Sequence, residues 1–171
     1  MRRAMVCMAS VVLVAAFAIP VAAQTKVAVI DVQRVVSESD PGKEALQKLA
    51  GLRDAKAQEG QTLQQDLQAL RDQFSKQQFT LSEAKLEELQ KQIQDKGIAL
   101  QRFQDDATRE LEEARTKELG RLEQQIMPII NEIGVEQGLT LIFNKFQSGL
   151  VYADETVDIT DEVIRRFNTR Q

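Results

Sequence analysis

The chain has 171 residues, of which 22 are Lys or Arg and 26 are Asp or Glu, with no His, one Cys and no Trp. This length allows one domain, or one domain with an extended element. The absence of His removes the commonest general base and metal ligand. The formal charge of −4 argues against a nucleic-acid partner, because phosphates bind basic faces. Aromatic residues make up only 5% of the chain, which is few for a compact core.

The first residues have the pattern of an export signal. Two arginines precede an uncharged apolar stretch, a proline ends it, and small residues precede Gln24. This pattern predicts a signal peptide, residues 1–23, that is cleaved after Ala23. A transmembrane anchor is the alternative, but about 15 apolar residues are fewer than the roughly 20 that span a bilayer. Cleavage removes the only cysteine, Cys7, and changes the net charge from −4 to −6 because two arginines leave.

A short strand and a helix start follow the predicted cleavage site. Residues 26–32 read KVAVIDV, and this run of β-branched residues predicts a strand. Asp31 is expected to cap the turn that follows. Asp40 and Pro41 predict the start of a helix, because Asp caps free amides and Pro fits the first helical position.

The middle of the chain is typical of an exposed coiled coil. Residues 42–126 are rich in helix-forming Gln, Glu, Lys and Leu, and hold 14 basic and 16 acidic side chains. Their apolar residues recur in steps of three and four and form a stripe too narrow for the core of a globular bundle.

A break in this stripe predicts a helical hairpin. Thr80 and Glu83 match a capping box, so the tip is expected near residues 79–83. One uninterrupted helix and a tip at Gly97 are the alternatives. Pro128 is expected to kink the second arm where it meets a compact body.

Four glycines fall inside the predicted arms: Gly51, Gly60, Gly97 and Gly120. Each lowers helix stability by about 0.5–1 kcal/mol relative to Ala. They are either neutral on exposed faces or keep the arms bendable.

The C-terminal part returns to β-type patterns. Residues 139–146 alternate apolar and polar side chains, residues 147–149 form a turn signal, and residues 150–153 are apolar, which together predict a β-hairpin. Thr160 is a candidate cap for a short C-terminal helix. Two or three short strands do not make a stable sheet alone, so the body is expected to close by oligomerisation.

These elements predict an α+β fold in which a long helical coiled-coil hairpin is inserted into a small β body. The hairpin covers residues 42–128. The β-rich oligomerisation body comprises residues 24–41 and 129–171.

The end segments carry a resemblance to a known family. The signal peptide, the segment KVAVIDVQRVVSESDPGKEAL, the Gln/Glu/Lys-rich middle and the segment GLTLIFNKFQSGLVYADETVDITDEVIRRFN together resemble the Skp (OmpH) family of periplasmic chaperones. The resemblance implies a homotrimer whose body closes as a small β-barrel and whose three hairpins, or tentacles, enclose a cavity. It implies an ATP-independent holdase that binds unfolded outer-membrane β-barrel proteins in the periplasm and prevents their aggregation.

The resemblance also implies which residues form the trimer body. They are Val27, Val29, Ile30, Leu139, Leu141, Phe143, Leu150 and Tyr152. The best-known members of the family are strongly basic and use positive tentacles to engage clients and lipopolysaccharide. The mature charge of −6 departs from this pattern, so no electrostatic capture and no lipopolysaccharide site is carried over.

The apolar stripe of the hairpin offers a candidate surface for unfolded clients, because exposed apolar side chains bind unfolded chains without sequence specificity. The candidates are Leu63, Leu67, Leu70, Phe74, Phe79, Leu81, Leu86, Leu89 and Ile93. The simpler interpretation is that the stripe only joins the two arms.

No catalytic, cofactor or metal site is expected, nor stable membrane insertion of the mature chain. The acidic pairs Asp105–Asp106 and Glu112–Glu113 have basic neighbours and are typical of a solvated helix face. A periplasmic coiled-coil spacer or adaptor without chaperone activity is the alternative function.

Overall fold

A computed structural model describes residues 25–170, so the predicted signal peptide, residues 1–23, lies outside the described part of the chain. The elements in chain order are β1 (Val27–Ile30), α1 (Val32–Glu38), α2 (Asp40–Gln77), α3 (Glu83–Gln137), β2 (Leu141–Asn144), a 3-10 turn (Glu155–Val157) and α4 (Thr160–Thr169).

Two long antiparallel helices dominate the structure. Helix α2 has 38 residues and α3 has 55, which correspond to about 57 Å and about 82 Å at 1.5 Å per residue. Residues 78–82 separate them, a range that overlaps the predicted tip at 79–83. Helix α3 continues on both sides of Pro128 as one element.

The helix caps differ from the predicted ones by one or two residues. Ser39, not Asp40, caps α2, and its side chain accepts a hydrogen bond from the Gly42 amide. The capping box at Thr80 is wrong, because Ser82 is the N-cap of α3. The Thr80 hydroxyl instead donates to the Gln77 carbonyl at 3.2 Å, which holds the end of α2.

The sheet is parallel and does not contain the predicted hairpin. Strand β1 pairs with β2 in register, with Val27 opposite Leu141 and Val29 opposite Phe143. The other side of β1 pairs with the segment at Asp158, since the Ile159 amide donates to the Val29 carbonyl at 2.9 Å. The chain therefore leaves β2 and crosses to the far side of β1, so residues 150–153 do not form a strand beside β2.

The hydrophobic core lies at the foot of the hairpin. One stripe of α3 is fully buried there, and it packs with β1, α1 and α4. The stripe consists of Leu122, Ile126, Ile129 and Ile133. The compact part of the chain is consequently helical with two four-residue strands, rather than β-rich, and its core extends into the range predicted for the tentacle. At about 1.5–3 kcal/mol per fully buried aliphatic side chain, this stripe is a large part of the stability of the body.

A buried polar contact joins the two ends of the chain. The Thr160 hydroxyl, which is fully buried, accepts from the Asp31 amide at 2.9 Å and donates to the Asp158 carboxylate. Thr160 is the first residue of α4 and not its cap, which is Ile159. Asp31 caps α1, as predicted, by accepting from the Arg34 amide at 3.0 Å. The bond from Asp31 joins segments 129 residues apart, whereas the bond to Asp158 is local.

The Asp158 carboxylate makes the body sensitive to acid. Partial burial raises its pKa, but hydrogen bonds from Thr160 and from Lys145 outweigh burial and hold the pKa below its ordinary value. Because the pKa is lower in the folded chain than in the unfolded one, the carboxylate stabilises the fold above its unfolded pKa of about 3.9. This stabilisation is lost as the pH falls through the folded value.

We expect the urea concentration at the midpoint of unfolding to decrease when the pH is lowered below about 4. The decrease is expected to be smaller in the Asp158→Asn variant. The variant is expected to be less stable at neutral pH, because it loses the ion pair with Lys145 at 3.4 Å. Urea denaturation followed by circular dichroism at several pH values measures both effects. Asp105→Asn, on an exposed face of α3, is the matched control. An undiminished acid response in Asp158→Asn would contradict the assignment.

Candidate functional site

Most of the predicted client-binding residues lie in the seam between the two arms. Leu67 and Leu89 are buried there, with 5% and 6% of their surface exposed, so they are not available on the surface of the folded arm. Six more are half-buried: Leu63, Leu70, Phe74, Leu81, Leu86 and Ile93. Leu81 lies in the turn, whereas the other five lie on the arms and help to hold them together. All six still present part of their apolar surface to water.

The tip of the hairpin presents one large apolar side chain fully to water. Phe79 is 89% exposed in the turn between α2 and α3. The turn itself is ordered by backbone hydrogen bonds, since the amides of Thr80 and Leu81 both donate to the Gln77 carbonyl at 3.0 Å. Phe79 is therefore displayed at a fixed point about 57 Å along the arm from the start of α2. An exposed aromatic ring is a favourable contact for the apolar side chains of an unfolded chain.

The seam has a gap in aliphatic packing halfway along the arm. Between Leu52 and Leu63, the seam positions of α2 are Lys56 and Gly60. Phe103 of α3 fills this gap, and a Cβ atom at position 60 would lie 3.2 Å from its ring. A side chain at position 60 would push the Phe103 ring aside by a few tenths of an ångström, which gives one of the four arm glycines a packing role.

Two ion pairs link the arms around this gap. The Lys56 ammonium lies 2.7 Å from the Glu110 carboxylate and 5.9 Å from the centre of the Phe103 ring. The hydrogen bond to Glu110 raises the pKa of Lys56. Lys96 pairs with Asp66 at 3.1 Å on the tip side. Such partly exposed pairs are screened by water, so they align the arms more than they stabilise them.

The sheet offers a second apolar surface. Val27, Leu141 and Phe143 point to its outer face, away from the core, and are 36%, 50% and 36% exposed. Within residues 25–170, no strand pairs with the other edge of β2. An apolar face beside an unpaired strand edge is a surface on which a further strand can add.

Of the residues predicted for the trimer body, some are buried within the single chain and others are exposed. Val29 and Ile30 are buried inside the single chain, and Leu139 is half-buried against the core. Leu150 and Tyr152 are 37% and 78% exposed in an irregular segment. They share that region with residues that the strand pattern did not single out.

The strand pattern in the sequence did not single out Phe146 and Val151, which are 62% and 100% exposed. The alternation of a hairpin would have placed Val151 on the opposite face from Leu150. Since residues 150–153 are not a strand, the alternation does not apply, and the turn signal at residues 147–149 was the better guide to exposure. Val135, on α3, is also 83% exposed.

Metal sites and membrane-spanning helices are both absent from the described part of the chain. Residues 25–170 contain no group of three or more side chains that could hold a metal ion. No helix in the same range combines the length and the apolar character needed to cross a membrane.

The packing of Phe103 on Gly60 can be tested with matched glycine substitutions. Gly51→Ala and Gly60→Ala both replace a mid-helix glycine of α2, and helix propensity alone favours each by about 0.5–1 kcal/mol. Only Gly60→Ala forces the Phe103 ring to move, because a Cβ at position 51 meets nothing within 4 Å beyond its own stretch of helix. We expect Gly51→Ala to raise the free energy of unfolding and Gly60→Ala to raise it less or lower it.

The same comparison in a Phe103→Leu background checks the cause. There the two substitutions are expected to have equal effects in urea denaturation. A difference that persists without the aromatic ring would refute the packing role of Gly60.

Comparisons with known proteins agree with this architecture. The sequence model of the family described as "Outer membrane protein (OmpH-like)" matches residues 26–167. No curated protein matches the sequence significantly. A crystal structure from Caulobacter crescentus CB15, of a protein described as an outer membrane chaperone (OmpH-like), superposes with a TM-score of 0.77. The two proteins are 22% identical over 87% of each chain, so the likeness establishes a shared fold. On the family match over most of its length, the chain belongs to the OmpH-like family of outer membrane proteins.

Proposed function

We propose that this protein is an ATP-independent periplasmic holdase chaperone that binds unfolded outer-membrane β-barrel proteins and prevents their aggregation. The observation that carries the proposal is a long helical hairpin that presents apolar surface along its seam and Phe79 at its tip. Membership of the OmpH-like family supports it. The chaperone description of the structural neighbour agrees with it.

We propose that the working unit is a homotrimer. The unpaired edge of β2 and the exposed side chains of Val27, Leu141 and Phe143 suit strand addition between copies. Repeating this contact three times would close the strands into a small barrel, which removes exposed edges. The three hairpins then leave the barrel on one side and enclose a cavity for a client.

In this proposal, the client is held by many weak apolar contacts. The half-buried seam residues and Phe79 line the arms, and none of them imposes a sequence requirement on the client. Three arms raise the effective concentration of these contacts around one client. Release needs no nucleotide, because a client that folds in the outer membrane buries the apolar surface that the arms had bound.

Charge plays a small part in this capture. Residues 42–126 carry 14 basic and 16 acidic side chains, and the mature chain carries −6. Many of the charged side chains on the arms are already in pairs, such as Lys56 with Glu110 and Lys96 with Asp66. A near-neutral arm attracts neither acidic clients nor lipopolysaccharide, so no lipopolysaccharide site is proposed.

The proposed location is the periplasm, reached through a signal peptide cleaved after Ala23. No catalytic step, cofactor or metal is part of the proposed function.

Assembly is tested by placing a charge on the outer face of the sheet. Phe143→Asp is expected to abolish trimer formation, because a carboxylate cannot be buried unpaired between copies. Sedimentation velocity of the processed protein measures the particle mass. Phe79→Asp, at the tip, is expected to leave the trimer intact. A single-chain particle for the unsubstituted protein would overturn the trimeric body.

Holdase activity is tested by diluting a urea-unfolded outer-membrane β-barrel protein into buffer with the processed protein and no nucleotide. We expect light scattering to be suppressed near three chains per client, equally at low and high salt, because apolar contacts are not screened. Replacing Phe79 with Ser is expected to raise the concentration needed for half-suppression by about fivefold, equivalent to about 1 kcal/mol.

Val135→Ser is the matched control, since Val135 is 83% exposed but lies at the foot of α3, away from the tip. Absence of suppression at every ratio would contradict the holdase and favour the coiled-coil spacer. Loss of suppression at high salt would contradict apolar capture.

A further inference from the structure

An open apolar groove lies at the foot of the hairpin, between α1, α3 and β2. It has a volume of about 470 Å³. Its walls are mostly aliphatic: Ile30, Val32, Val36, Leu119, Met127 and Ile130. Leu119 and Met127 are 37% and 46% exposed. Glu123 is its one charged lining residue, so the groove favours an uncharged apolar occupant.

The same chain displays an uncharged segment whose apolar side chains are largely exposed. This apolar loop, residues 146–152, reads FQSGLVY. Phe146, Val151 and Tyr152 are 62%, 100% and 78% exposed. With Leu150, which is 37% exposed, four large apolar side chains in seven residues form a patch of the kind that marks a protein interface.

The apolar loop is held in this outward position by its own turn. The Ser148 amide and hydroxyl both donate to the Asn144 carbonyl, at 3.1 Å and 2.7 Å. Gly149 has a φ of 70°, a left-handed conformation that glycine adopts without strain. The exposed Phe146 ring therefore follows from a hydrogen-bonded turn.

The apolar loop begins at the rim of the groove but leaves the groove open. Asn144 and Gln147 line the rim, and the chain then crosses to the far side of β1, where Ile159 pairs with Val29. One molecule thus carries an apolar groove and a separate, matching apolar segment. Two different complementary surfaces on one chain produce a head-to-tail contact, which closes into a ring when the rotation between copies fits.

We propose that the groove at the foot of α3 receives the apolar loop of an adjacent copy, with Phe146 as the anchor. This inference rests on the proposed trimer and specifies which surfaces meet in it. The contact is continuous with the proposed strand addition, because Ile142 and Asn144 of β2 also line the groove. It buries the apolar loop, which the sheet contact alone leaves in water.

Disulfide trapping between two marked chains tests the contact directly. One chain carries Met127→Cys and the other Phe146→Cys, both in a Cys7→Ser background so that no other thiol is present. The two chains are expressed together and oxidised. We expect a disulfide that joins the two kinds of chain. Phe79→Cys in place of Phe146→Cys is the matched control, and it is expected to give no such product.

The outcomes separate this inference from the proposed function. A trimer by sedimentation without a disulfide between positions 127 and 146 overturns the groove contact and leaves the trimer standing. A further chain carries both Met127→Cys and Phe146→Cys, and a disulfide formed only within that chain also overturns the contact, because the loop then folds onto its own groove. A particle of one chain overturns both.

A second variant gives an independent measurement. Phe146→Ser is expected to raise the concentration at which the assembly half-dissociates by at least about tenfold, or about 1.4 kcal/mol. Val135→Ser, at a similarly exposed site, is expected to leave it unchanged. Equal effects of the two substitutions overturn the anchoring role of Phe146.

Discussion

The rest of the structure depends on how a four-residue strand is held on both sides. Strand β1 pairs with β2 along one edge and with the Asp158–Ile159 segment along the other. Both partners come from the C-terminal part of the chain, more than 100 residues away. The buried Thr160 hydroxyl adds a polar contact at the same point by bridging Asp31 and Asp158. Every element between these contacts is an insertion between two fixed ends. The long hairpin can therefore extend away from the body without contributing to the sheet.

This arrangement explains why the core is small and concentrated. The aliphatic stripe at the foot of α3 belongs to one buried core that also contains residues of β1, α1 and α4. Beyond it, each arm has a single neighbour, so most seam residues are half-buried and their surface is shared between arm contact and solvent. A two-helix arm cannot bury all its apolar surface, and the proposed function uses the part that is left over.

Local patterns predicted the local structure well. The stripe of apolar residues in steps of three and four indicated two long helices, and the β-branched run at residues 27–30 indicated β1. Asp31 caps α1 as expected, because capping depends on residues only three positions apart. The exposed position of Phe79 followed from its place in a break between two helical patterns.

Features set by distant parts of the chain were not predictable in the same way. The parallel pairing of β2 with β1 competes with a hairpin that the sequence around residues 147–149 favours, and the pairing partner lies more than 100 residues away. Thr160 looked like a helix cap, but its hydroxyl is taken by Asp31 and Asp158. The burial of Leu67 and Leu89 depends on the rotation of the two arms about each other. The packing role of Gly60 depends on a phenylalanine 43 positions later.

The insertion of the hairpin between two fixed ends has a consequence for how such proteins can vary. Adding seven residues at facing positions of both arms preserves the apolar seam and lengthens the arm by about 10 Å. The strands, the Thr160 contact and the aliphatic stripe are untouched by such a change. The length of the arms can therefore change, in evolution or by design, while the fold of the body stays the same.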